Sequence, residues 1–181
     1  MANLNKIAKL LCFSLRHNPD QLGLTLQPGG WVNVETLINT LNYNNHSCTM
    51  ADLDKIVSTD NKQRFSFSED NTLIRANQGH SISIDLGLEA IEPPTTLYHG
   101  TAERFIDAIL SIGLIRGQRH HVHMTENQTT ALSTGARYGK PVLLVVQSKS
   151  MFDDGYVFFK SDNGVWLTDE VPSRYLAQTD E

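Results

Sequence analysis

Glu92-Pro93-Pro94 divides the chain into two stretches whose apolar residues recur with different periods. Ahead of it the spacing is mainly helical. Leu4, Ile7, Ala8, Leu11 and Leu15 mark one helix face, with Asn3 as its cap and an end near Arg16-His17, where Asn18-Pro19 disfavours further α geometry. Pro28-Gly29-Gly30 is a turn signal, and Trp31-Val32 leads into a second helix from Val34 to Leu41. Thr49 caps a third helix carrying Leu53, Ile56 and Val57. The period then changes to two. Gln63 to Phe67 alternates, Ser68 to Asn71 turns, and Thr72 to Arg75 returns, which predicts a hairpin with Phe65 and Phe67 on one face and Arg64 on the other.

Past the prolines, short strands dominate. Leu97 to Thr101 reads as a strand entering a helix that Thr101 caps, with Phe105, Ile106, Ile109 and Leu110 inward and Gly113 at its end. Thr125 is the expected cap of another helix, which runs to Gly135–Gly139. Pro141 introduces a buried strand, Val142 to Val146, and Tyr156 to Phe159, Val165 to Leu167 and Arg174 to Leu176 are further strand candidates. The expected class is α+β, with one lobe at 1–80, a linker at 81–94 and a β-rich lobe at 95–181.

Charge limits the partners. The chain carries a net −5, and its first 80 residues balance seven basic against seven acidic side chains, while 81–181 hold eight against thirteen. Broad nucleic-acid binders present a basic face, so a nucleic acid would be gripped here through a few placed cations. No apolar run is long enough to span a bilayer, no secretory pattern opens the chain, and Cys12 and Cys48 belong to no close-spaced motif. The expectation is a soluble, monomeric protein of a reducing cytoplasm, with no membrane partner.

No GxxxxGK[ST], GxSxG, HExxH or paired CxxC occurs. The densest functional pattern is Arg119-His120-His121-Val122-His123. On a strand, His121 and His123 share a face, suited to half a metal site, to a phosphate, or to ordinary sheet packing. At His99-Gly100-Thr101, a glycine before a helix start permits close approach of an anionic ligand; an ordinary strand–helix connection needs the same residues.

Taken in order, Arg16-His17, Arg64, Arg75 to Ser81, His99-Gly100-Thr101, Arg119-x-His121-Val122-His123, Gly135-x-Arg137-x-Gly139 and Asn163-Gly164-Val165-Trp166-Leu167-Thr168 closely resemble the RNA 2'-phosphotransferase family of tRNA splicing. The resemblance runs from about residue 5 to residue 176. It implies a winged-helix lobe followed by an ADP-ribosyltransferase-like lobe, 2'-phosphorylated RNA as partner, NAD as co-substrate, and no metal. It also implies catalytic roles for Arg16, His17, Arg64 and Arg119. The candidates for holding NAD are His99, Gly100, Thr101, His121, His123, Ser133 and Arg137. Many ADP-ribosyltransferases place a catalytic glutamate on a late strand, whereas Gly164 to Thr168 contains no acid. A phosphate dianion is already nucleophilic and does not need that base. Two other readings stay open: an ADP-ribosyltransferase acting on a terminal phosphate of nucleic acid, and a non-catalytic RNA-binding module.

Overall fold

The computed structural model describes residues 3–178, so the outermost residues of both expected lobes, 1–2 and 179–181, lie outside the described residues. It comprises two compact units, Met1–Gly87 and Leu88–Glu181. Both mix helix and sheet, in keeping with the α+β class.

In the first unit, α1 (Leu4–Arg16) begins where the Asn3 side chain accepts the Lys6 N–H, and it buries Ile7, Leu11 and Leu15. A two-residue strand, β1 (Val32–Asn33), was too short to leave a period in the sequence. Asn33 then caps α2 (Val34–Tyr43). Thr49 and Asp52 form a reciprocal capping box at the start of α3 (Met50–Ser58), satisfying two helix-end N–H donors at once. The hairpin is β2 (Phe65–Phe67) and β3 (Leu73–Ala76); β1 joins β3 to give the order β1-β3-β2. Leu11, Leu15, Leu37, Leu41, Leu53 and Ile74 are fully covered in one core. Each such side chain contributes about 1.5–3 kcal/mol of burial. Residues 81–87, expected in the linker, pack onto this unit: a Cβ built on Gly30 would touch Ile84 and Leu86 at 3.6 Å.

The second unit opens with β4 (Leu97–Ala102), followed by α4 (Ile106–Ile112), β5 (Leu114–Ile115), β6 (Val122–Met124) and α5 (Gln128–Gly135). Then come β7 (Pro141–Val146), α6 (Ser148–Asp153), β8 (Phe159–Lys160), β9 (Trp166–Thr168), β10 (Glu170–Val171) and β11 (Leu176–Gln178). Two three-stranded sheets, β11-β7-β4 and β6-β9-β8, meet where Tyr98 and Thr125 exchange backbone hydrogen bonds of 2.8 and 3.0 Å. A third, two-stranded sheet pairs β5 with β10.

Of the expected strands at 156–159 and 174–176 only the last residues, Phe159 and Leu176, are in strands, and three expectations about helix ends and faces also fail. Thr101 is not a helix cap: it lies inside β4, paired with Val142 and buried, because the strand runs on to Ala102 before the chain turns. Only Ile106 and Ile109 turn inward from α4, leaving Phe105 and Leu110 each 41% exposed. Thr125 lies two residues ahead of the true cap, Asn127, whose side chain accepts the Thr130 N–H, while Thr125 Oγ1 accepts that of Asn127.

Candidate active site

The first unit assembles its cations around one loop. Arg16 and His17 close α1, where cations complement the helix dipole. Ser81 N–H donates to the Arg16 carbonyl, and the Ser81 hydroxyl lies 2.9 Å from His17 Nδ1. A Cβ on Gly79 would stand 3.6 Å from Arg16 Nη1, so the loop backbone passes over the guanidinium. Asn77 N–H donates to the Arg64 carbonyl at 2.9 Å, and the Asn77 side chain donates to Gln63 O at 2.7 Å. Segment 77–81 thus joins Arg64 at one end to Arg16-His17 at the other. The four steps between its five residues span at most about 14 Å even when extended.

Arg64 is held by Asp60, which sequence reasoning missed. One Asp60 oxygen accepts Arg64 Nη1 at 2.6 Å, and the other accepts the Arg64 backbone N–H at 2.7 Å. The Lys62 N–H also reaches this carboxylate, at 3.1 Å. The Asp60 side chain is only 10% exposed against 36% for Arg64, so the aspartate is the fixed partner and the guanidinium the presented one. The readable signal was an Asp-Asn-Lys-Gln turn placed immediately before Arg64.

In the second unit the histidine strip enters a strand only at Val122, the first residue of β6. Val122 and Met124 are buried, alternating with half-buried His123 and with half-buried His121, which immediately precedes the strand. A carbonyl oxygen only accepts, so the 2.9 Å contact of His99 Nδ1 with His123 O fixes the proton on Nδ1 and leaves His99 Nε2 as an acceptor. Arginine only donates, so Arg119 Nη1, 2.9 Å from His123 Nδ1, requires a lone pair on that nitrogen. His123 therefore anchors His99 of β4 by its carbonyl and Arg119 by its ring. Burial holds the His99 imidazolium below its ordinary pKa, and the Arg119 charge acts in the same direction. Burial also lowers His121, whose ring packs 5.5 Å from that of Phe159. His120 stacks edge-on to His121 at 6.3 Å.

Gly100 has a packing role. A Cβ there would lie 1.7 Å from the Ala131 carbonyl oxygen, and one on Gly135 would lie 2.4 Å from Thr101 O. These two glycines let α5 sit directly on β4; the space beside Gly100 is filled by the helix. Ser133 is exposed on α5, and Arg137 is exposed just beyond its end.

β9 carries no acid. Glu126 accepts Trp166 Nε1 at 2.7 Å and Lys160 Nζ at 2.9 Å, and these donors hold its carboxyl below the usual range, unsuited to act as a base. Among the described residues no three His, Cys, Asp or Glu side chains form a group able to hold a metal, and no helix is long and apolar enough to cross a membrane.

These features have relatives. The chain is 50% identical to a probable RNA 2'-phosphotransferase of Pseudomonas syringae pv. tomato over 175 residues, covering 96% of this chain and 94% of that one. It is 49% identical to one from Nostoc punctiforme over 175 residues, 97% of each, and 44% identical to one from Flavobacterium johnsoniae over 170 residues, 94% and 93%. The family model that matches residues 2–170 is described as RNA 2'-phosphotransferase, Tpt1 / KptA family. This chain belongs to the RNA 2'-phosphotransferase family.

Proposed function

We propose that this protein is an enzyme that removes an internal 2'-phosphate from RNA by transferring it to NAD+. A 2'-phosphate oxygen attacks C1'' of the nicotinamide ribose as the bond to nicotinamide breaks, leaving ADP-ribose joined to the RNA phosphate. The ribose 2''-hydroxyl then attacks that phosphorus, and the RNA 2'-oxygen leaves as a hydroxyl. The products are 2'-hydroxyl RNA and ADP-ribose 1'',2''-cyclic phosphate.

The observation that carries this reading is the loop 77–81 bound to Arg16, His17 and Arg64. A phosphate dianion asks for several directed cations, and arginine supplies fixed bidentate geometry. In this reading the first unit is a winged-helix lobe that grips the 2'-phosphate. The second is an ADP-ribosyltransferase-like lobe in which His99, His121 and His123 contact NAD+, with Ser133 and Arg137 at the periphery. Neutral His99, its Nε2 an acceptor, suits a ribose hydroxyl. Gly100 and Thr101 serve that lobe by packing. Arg119 stabilises charge on the phosphoryl group in the second step.

The test is incubation with a short 2'-phosphorylated RNA, with and without NAD+, following both RNA and nucleotide products. The expected result is NAD+-dependent 2'-hydroxyl RNA together with the cyclic phosphate. A stable ADP-ribosylated RNA end would replace this reading with terminal-phosphate modification. Failure to release nicotinamide would leave an RNA-binding module.

A further inference from the structure

Outside the phosphate loop, the first unit contains a cleft of about 600 Å³. Its walls include Leu26, Pro28, Trp31, Ile84 and Leu86, and Arg75 enters from the sheet. The Arg75 guanidinium lies 4.5 Å from the centre of the Trp31 ring, while Nη1 reaches toward the Leu86 carbonyl at 3.5 Å. A Cβ on Gly29 would stand 3.0 Å from Trp31 Cδ1, so the glycine keeps the edge of the indole open.

The sheet register places this cleft relative to the cations. Val32, Phe65, Ile74 and Ala76 turn into the core. Residues alternating with them, Trp31, Ser66 and Arg75, therefore lie on the opposite face. Ser66 is directly across from Arg75 in the ladder. Trp31 precedes the Val32–Ile74 pair and is extended (φ −77°, ψ 144°), which brings it beside Arg75. Arg64 continues the β2 side of the ladder through the Asn77 N–H. Arg64 and Arg75 are thus diagonal neighbours on one face, about 7–8 Å apart along the sheet.

From this juxtaposition we infer that the Trp31–Arg75 cleft is a nucleobase subsite, taking the flat ring of a nucleotide next to the 2'-phosphate held by Arg16, His17 and Arg64. The inference rests on the 2'-phosphate reading of those three residues. Indole and guanidinium planes are the surfaces on which unpaired bases stack, and stacking of this kind is tolerant of sequence. It also answers the charge problem: a unit with no net positive charge adds affinity through one stacked ring beside a small cationic cluster.

The test measures binding of 2'-phosphorylated trinucleotides to the full chain without NAD+, using the intact RNA and versions made abasic at each position in turn. One abasic position should weaken binding roughly tenfold and abolish quenching of the indole fluorescence. Trp31→Ala should weaken the intact RNA by a similar factor and erase the penalty at that position. Fluorescence of the wild-type protein keeps the test independent of how the variant folds. Retained dependence on the 2'-phosphate with no abasic penalty anywhere overturns the subsite and leaves the proposed function standing. A penalty that survives in folded Trp31→Ala also overturns it. Loss of 2'-phosphate dependence itself overturns both.

Discussion

Replacing Asp60 with asparagine should weaken binding of 2'-phosphorylated RNA by about two- to twenty-fold, even though it removes a negative charge close to the phosphate site. Two effects oppose each other. The wild-type carboxylate accepts from Arg64 Nη1, Arg64 N and Lys62 N. Asparagine keeps one oxygen and turns an NH2 toward donors, so at least one charge-assisted bond is lost, worth about 1.5–3 kcal/mol in a partly buried setting. Against this, a phosphate dianion on the far side of the guanidinium would sit about 7 Å from Asp60, where repulsion in a water-like dielectric is about 1.2 kcal/mol. Orientation outweighs repulsion by about 0.3–1.8 kcal/mol, which gives the stated range. The assay is titration of Asp60→Asn with 2'-phosphorylated and 2'-hydroxyl RNA, repeated in an Arg64→Ala background, where the substitution should have almost no effect on affinity. Tighter binding by Asp60→Asn, or an equal loss without Arg64, would refute the orienting role.

Four further outcomes follow from the geometry. Arg119→Ala should slow the second chemical step by about a hundred- to thousand-fold and accumulate the RNA–phosphate–ADP-ribose adduct, seen as a slower-migrating RNA; slow turnover that never shows the adduct contradicts the assignment. Gly100→Ala should cost about 3 kcal/mol or more in denaturant titration, because its Cβ would meet backbone at 1.7 Å; wild-type-like stability would show that α5 moves freely. Burial lowers the His99 pKa from 6.5, so as pH falls below that value the unfolded chain takes up a proton that the folded chain does not. Stability should therefore decline with acidification, with a shallower slope in His99→Gln; identical slopes count against it. Burial, reinforced by Asp52, raises the Cys48 thiol to about 11, so a thiol reagent at neutral pH should modify half-buried Cys12 first and Cys48 only on unfolding. Rapid reaction of both contradicts this.

What the sequence discloses depends on how local the cause is. α1 was legible from end to end because its cap, apolar stripe and proline stop all lie within seventeen residues of one another. The alternation of half-buried His121 and His123 with buried Val122 and Met124 was legible for the same reason, since alternation is a property of neighbours. Gly100 was visible as a demand for space, but its meaning depends on Ala131, a helix away, and close approach of a ligand imposes the same local requirement. β1 and β10 are two residues each and exist through pairing with distant strands, so no window of sequence contains them. Asp60 escaped notice because an aspartate in a turn is ordinary until a guanidinium is found against it.

The reciprocal glycine contacts between β4 and α5 have a mechanical consequence. Gly100 meets Ala131, and Gly135 meets Thr101, so strand and helix are keyed at two points a full turn apart. Sliding or tilting the helix would drive backbone into backbone at one point or the other. The strand bearing His99 and the helix bearing Ser133 therefore move as a single rigid plate, and a ligand resting on both need not freeze one against the other on arrival.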